Sequence, residues 1–123
     1  MKIALTCTGK EMNDNLDLRF GRCSYFIIFD SEKGVSYTLE NKGQSSGGGA
    51  GIAAAQQIID EEVEVVISGS MGPNAYNLMM SSGIKVYASK ELPCAQVLES
   101  FNKGELEEIT QAGPSHMGMG SGK

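Results

Sequence analysis

Histidine is almost missing from this chain: one residue of 123, His116, carries an imidazole, and there is no tryptophan. A Ser-His-Asp or Cys-His arrangement built on a folded core, or an HExxH zinc site, has no histidine to draw on outside the last residues. Cysteine is scarce too, and Cys7, Cys23 and Cys94 are spaced too widely for a disulfide framework or a CxxC metal site. Reduced thiols are expected. No stretch reaches the roughly 20 apolar residues that cross a bilayer, and Lys2-Ile3-Ala4-Leu5-Thr6 has no signal-peptide pattern, so a cytoplasmic location is expected. Basic residues are outnumbered, 10 against 15 acidic, for a net charge of -5. That balance excludes the broad basic surface of a nucleic-acid or anionic-membrane binder. The first apolar segment has no aspartate to start a two-metal nuclease site. These absences together leave little support for catalysis and favour a binder or carrier.

Glycine, by contrast, is abundant, with 16 residues. Its densest run, Ser46-Gly47-Gly48-Gly49-Ala50-Gly51, leads into an amphipathic stretch from Ile52 to Glu62. A helix start presents unpaired N–H groups and a partial positive charge, and glycines before it let a ligand approach the backbone. The same device recurs at Gly69-Ser70-Met71-Gly72-Pro73-Asn74, where an apolar strand ends and Pro73 suits the first turn of a helix. Two such starts in a chain of one-domain size suggest an anion-binding pocket.

Lys2–Cys7 and Tyr25–Phe29 are apolar on both faces, as strands inside a covered sheet are. A turn-like Asp30–Gly34 leads to Val35–Leu39, which alternates as an edge hairpin strand does. Helical spacing follows over Ala50–Glu62, with Ile52, Ala55 and Ile59 on the expected buried face. Then come strand Glu64–Ser68, helix Asn74–Ser82, strand Ile84–Tyr87 and helix Cys94–Asn102. Helices alternating with buried strands predict a three-layer α/β/α architecture with a mixed, five-stranded sheet. Residues 1–110 form the expected domain, and 111–123, rich in Gly and Met and holding His116, read as a flexible tail.

The arginines of the chain, Arg19 and Arg22, sit together in Asp17-Leu18-Arg19-Phe20-Gly21-Arg22-Cys23. Guanidinium groups there can meet an anion through charge-assisted hydrogen bonds; equally, Arg19 can pair with Asp17 while Phe20 plugs the core. Gly49-Ala50-Gly51-Ile52-Ala53-Ala54 satisfies a relaxed dinucleotide pattern, but it does not follow the first strand and is read as accidental. Cys7, Cys23 and Cys94 are candidate soft-metal ligands, though each taken singly is more readily read as a small buried apolar residue. His116 and Met117 in the tail offer an imidazole and a thioether suited to copper or an iron-sulfur metal.

Taken in order, Arg19-Phe20-Gly21-Arg22, Tyr25-Phe26-Ile27-Ile28-Phe29-Asp30, Glu40-Asn41, Gly47-Gly48-Gly49-Ala50-Gly51-Ile52, Val66-Ile67-Ser68-Gly69, Gly72-Pro73-Asn74-Ala75 and Gly83-Ile84-Lys85-Val86-Tyr87 resemble the dinitrogenase iron-molybdenum cofactor biosynthesis family. The resemblance spans residues 1 to 110 and is strongest to its small stand-alone members. It implies a ribonuclease-H-like fold and a non-enzymatic protein that holds an anionic metal-sulfur cluster, either an iron-molybdenum cofactor precursor or a thiomolybdate-copper cluster. It also implies, by analogy, a P-loop ATPase of the ferredoxin-associated or partitioning type as partner.

The expected cleft runs through Thr8–Asp14, Arg19–Cys23, Gly47–Gly51 and Gly69–Asn74. Cluster contacts are expected from Thr8, Arg19, Arg22, Gly47, Gly48, Gly49, Gly69, Ser70, Met71 and Asn74, with Cys7, Cys23, His116 and Met117 as metal donors. Two rivals stand beside this expectation: an interaction module that docks to an ATPase independently of any cluster, and a phosphate or nucleotide binder using the same glycine loops.

Overall fold

A computed structural model describes residues 1–43 and 49–112. In chain order the elements are β1 (Lys2–Cys7), β2 (Tyr25–Asp30), β3 (Val35–Glu40), α1 (Ala50–Asp60), β4 (Val65–Ser68), α2 (Pro73–Ser81), β5 (Lys85–Ala88), α3 (Cys94–Asn102) and β6 (Glu107–Glu108). The sheet order is β3-β2-β1-β4-β5-β6. β1 is central, antiparallel to β2 (Lys2↔Asp30 through Cys7↔Tyr25) and parallel to β4 (Ile3↔Val65 through Leu5↔Ile67). This position explains its run of apolar residues, since both of its faces are covered. At the β2–β3 turn the Asp30 carboxylate accepts the Glu32 and Lys33 N–H groups, and Gly34 takes a left-handed φ of +69° that a side chain would strain.

Two apolar clusters lie on opposite faces of the sheet. Ala4, Phe26, Ile28, Val66 and Val86 pack with α1 and α2; Ile3, Leu5, Cys7, Ile27, Val65 and Ile67 pack with α3. The alternation within β1 and β4 is the period-two pleat, and it produces the expected helix-sheet-helix layering.

Two sequence expectations are corrected. The sheet has six strands, not five: Glu107 and Glu108 pair antiparallel with Ala88 and Tyr87. Two charged residues show no apolar period, so sequence pattern could not reveal them; as an edge they also discourage pairing with another chain. In α1 the buried face is Ala50, Ala54, Ala55 and Ile58, while Ile52 is 47% exposed. Small residues define this face because the helix is pressed against backbone: a Cβ on Gly43 would meet Ala53 and Ala50 at 2.9–3.0 Å.

This register gives a direct test. Ile58→Ala should cost about 2–5 kcal/mol in urea unfolding, whereas Ile52→Ala should change stability by less than about 0.5 kcal/mol. Comparable losses at both positions would mean that the helix is rotated from this register.

Candidate functional site

The polar loops gather at the carboxyl ends of the parallel strands β1 and β4. Thr6, fully buried near the end of β1, donates through Oγ1 to the Asp17 carbonyl at 2.7 Å and lies 2.9 Å from the Ser68 hydroxyl at the end of β4. The Asp17 N–H returns a bond to the Thr6 carbonyl at 2.8 Å. These contacts bind the loop after β1 onto both strand ends. The buried Asp17 carboxylate then accepts the Arg19 backbone N–H at 2.9 Å, Nε at 3.1 Å and Nη2 at 3.0 Å. Arg19 therefore makes the pairing with Asp17 that its spacing allowed. Its side chain nonetheless stays 59% exposed, and Nη1 takes no part in the pair. The Asp17 carboxylate holds the guanidinium proton still more firmly than usual.

Close backbone approaches draw the remaining segments to this loop. Arg19 forms a parallel bridge with Ser70, just beyond β4. A Cβ on Gly69 would fall 2.6–2.7 Å from Leu18, including its backbone, and one on Gly21 would fall 2.9 Å from the Gly51 Cα. Glycine is required at both positions for the loop to touch the β4–α2 turn and the start of α1. Asn41 fixes the other side: its Nδ2 donates to the Gly21 and Cys23 carbonyls at 3.1 and 2.9 Å, and its Oδ1 accepts Gly43 N–H at 2.9 Å. Phe20 is in the core against Phe26, with ring centroids 5.9 Å apart.

α1 and α2 thus begin beside the arginine loop. Neither has a side-chain cap or an acidic residue in its first turn; Gly49 and Gly72 hold the N-cap positions, and Pro73 opens α2. The start of α3 differs, because its Cys94 and Ala95 N–H groups donate to the Asp14 and Met12 carbonyls at 2.9 Å. Positive end charge at α1 and α2 adds to that of the two arginines.

The structure brings together Arg19, Gly49, Gly69 and Ser70 of the expected contacts, with Arg22 exposed on the same loop and Asn74 exposed in the first turn of α2. Thr8 is exposed at the start of the loop after β1, where its N–H and Oγ1 both bond to the Asn15 carbonyl. Met71 is 2% exposed and belongs to the core with α1 and α2, so it lines nothing. Gly47, Gly48, His116 and Met117 lie outside the described residues. Cys7 and Cys23 are not brought together: Cys23 is buried on the α1/α2 face and Cys7 on the α3 face. No group of three or more His, Cys, Asp or Glu suited to a metal ion occurs among the described residues.

The thiols also differ electronically. Burial first, then the Asp17 carboxylate, pushes Cys23 up to about 12. Cys7 is drawn down to about 7, chiefly by hydrogen bonding with Cys94, which is itself held upward by the same contact. Sequence reading missed the clamp formed by Thr6, Ser68 and Asn41. The available signal was polar residues near the ends of otherwise apolar strands, a pattern equally expected from a strand simply running out.

Fold and site together define a small three-layer α/β protein whose arginine loop and two helix starts converge at the parallel strand ends. The chain belongs to the dinitrogenase iron-molybdenum cofactor family, whose model matches residues 1–104. It is 32% identical to an uncharacterised protein of Methanocaldococcus jannaschii over 112 residues, 89% of this chain and 92% of that one. Among solved structures, it resembles the apo form of the orange protein from Desulfovibrio gigas, with a TM-score of 0.87 and 30% identity over 91% of this chain and 95% of that one. It also resembles a candidate NifB protein from Thermotoga assigned to the DUF35 family, with a TM-score of 0.83 and 30% identity over 94% and 98% of the two chains. No helix among the described residues is long and apolar enough to cross a membrane.

Two measurements test the site's internal chemistry. Asp17→Asn should cost about 1–2 kcal/mol by urea unfolding, a range discounted for the exposed guanidinium; an unchanged midpoint would remove Asp17 as the loop's anchor. Cys23 releases its proton near pH 9 when unfolded but near 12 when folded. Between those values the folded state binds the extra proton, so stability falls as pH rises, by up to about 1.4 kcal/mol per pH unit for this group. Cys23→Ala should remove that increment from the alkaline slope, leaving the parts due to Cys94, Tyr37 and Lys2, which the folded state also holds upward.

Proposed function

We propose that this protein binds and carries, without chemically converting it, an anionic molybdenum-containing metal-sulfur cluster in the cleft between the arginine loop and the starts of α1 and α2. The carrying observation is the convergence of Arg19 and Arg22 with two helix starts free of acidic first-turn residues, in a chain whose net charge is -5. Both arginines of the chain and two helix starts without acidic first turns meet at one place, as recognition of a compact anion requires. Family membership and likeness to the orange protein support a role connected with such a cofactor. The two metal compositions that fit the reading are iron-molybdenum and thiomolybdate-copper.

The cluster is cargo in this reading. Arg19, oriented by Asp17, and Arg22 supply charge, while the backbone N–H groups of Gly49, Ala50 and Gly51 and those of Gly72 and Asn74, on either side of Pro73, supply hydrogen-bond donors. Ser70 and Asn74 add polar side chains at the rim.

Protein purified anaerobically, and protein incubated with tetrathiomolybdate and copper, should carry a stoichiometric visible chromophore with molybdenum by elemental analysis. Arg19→Ala combined with Arg22→Ala should weaken retention at least about tenfold, the size expected when charge-assisted hydrogen bonds to an anion are lost. Metal-free protein under both conditions would overturn the carrier reading, and thermal stabilisation by a nucleotide instead would favour the phosphate-binding rival.

A further inference from the structure

Cys7 and Cys94 lie on the side of the sheet away from the packing of α1 and α2, and the proposed cargo makes no use of them. Cys7 ends β1, and Cys94 is the first residue of α3. One short segment joins them: Leu16 bridges to Cys7, Asn15 bridges to Pro93, and Asp14 accepts the Cys94 N–H at 2.9 Å. Both thiols are fully buried in one apolar cluster with Leu16, Ile67 and Val97. Cys7 Sγ donates to the Glu11 carbonyl at 3.7 Å, and the two thiols are close enough to shift one another's ionisation in opposite directions. Main-chain bonds through Asn15 and Asp14 hold the end of β1 and the start of α3 side by side, the arrangement that a disulfide of about 2.05 Å requires.

We propose that Cys7 and Cys94 form a peroxide-responsive dithiol that closes reversibly to an intramolecular disulfide, joining the end of β1 to the start of α3. Burial excludes bulky disulfide oxidants and favours a small hydroperoxide. Cys7 sulfur attacks one peroxide oxygen; the S–O bond forms, the O–O bond breaks, and the departing hydroxide takes the Cys7 proton to leave as water. Cys94 sulfur then attacks the Cys7 sulfenic acid; the S–S bond forms, the S–O bond breaks, and hydroxide leaves as a second water with the Cys94 proton. Two electrons pass from the two sulfurs to one peroxide. Cys7 is the attacking partner because its thiol sits low, near 7, while Cys94 keeps its proton until the second step. Cys23 takes no part: the sheet lies between it and the pair, and its sulfur contacts Asn41 Nδ2 at 3.6 Å.

The bond would pin the segment from Thr8 to Leu16, whose last residue, bridged to Cys7, leads directly into Asp17. It would thereby make the anchor of the arginine loop sensitive to oxidation, although the dithiol chemistry itself needs no cargo.

Reduced full-length protein is exposed to hydrogen peroxide, then unfolded and alkylated with N-ethylmaleimide for intact mass and non-reducing peptide mapping. The three alkylatable thiols should fall to one, with Cys7 and Cys94 in a single linked peptide that dithiothreitol separates. Cys23→Ser should leave this link intact. Cys94→Ser should abolish it and let Cys7 proceed to sulfinic acid. A link involving Cys23, an intermolecular dimer, sulfinic acid at Cys7 in the unsubstituted protein, or three thiols still alkylated would each overturn the proposal.

Discussion

The candidate cleft depends on Asp17. Its backbone is held by Thr6 and approached by Ser68 near the ends of two parallel strands, and its carboxylate sets the course of the arginine loop through the Arg19 backbone and guanidinium. A loop between β1 and β2 has no hydrogen-bonding pattern of its own to hold it, and a buried backbone without partners is costly. Asp17 satisfies this need at both ends: main chain to the sheet, side chain to the loop. From there Gly69 and Gly21 permit the contacts that bring the turn after β4 and the start of α1 into place.

The same carboxylate that orients Arg19 also offsets its charge. For an anion in the cleft, Arg19 and Asp17 together act as a dipole, with the guanidinium exposed and the carboxylate buried behind it. A dipole fixed by three hydrogen bonds gives less long-range attraction than a lone cation but requires less ordering when a ligand arrives. Long-range attraction would in any case be opposed by the acidic surface. Retention would therefore rest on short-range donors, the guanidinium N–H groups and the first-turn amides of α1 and α2, more than on net charge. An interaction of this kind weakens less with added salt than one between exposed charges.

Much of the scaffold was legible because β1, β2 and β4 are covered on both faces, which forces unbroken apolar runs, and because Pro73 and Gly83 punctuate α2. Glu107 and Glu108 escaped notice since a two-residue edge strand is defined by its partner β5 rather than by its own sequence. On α1, Ala55 and Ile59 face the core as expected but Ile52 does not: hydrophobic size favoured it, whereas close backbone contact at Gly43 selects alanines. At the cleft, the concentration of glycine and arginine was readable, and so was the alternative that Arg19 pairs with Asp17. Met71 sat within a glycine-rich turn and read as a cluster contact; instead it is turned into the core beside α2. The clamp of Thr6 and Ser68 was hidden because it joins residues distant in sequence, and spacing along the chain carries no trace of such a pairing.

The pleat of β1 separates two kinds of chemistry. Ala4 packs on the α1/α2 side, whereas Ile3, Leu5 and Cys7 pack on the α3 side, so Thr6 and its neighbour Cys7 face opposite ways. Thr6 anchors the cleft, while the Cys7 sulfur is spent on Cys94 and Glu11. Cys23, on the other face, is buried and keeps its proton well above neutral pH. Thiolate ligation by Cys7 and Cys23 together would require one ion to reach through the sheet. For the proposed cargo this argues for a cluster that brings its own sulfur and is held from outside its coordination sphere, by guanidinium and amide donors directed at that sulfur. Where neither cysteine ligates the metal, no thiolate-metal bond has to break when the cargo is passed on.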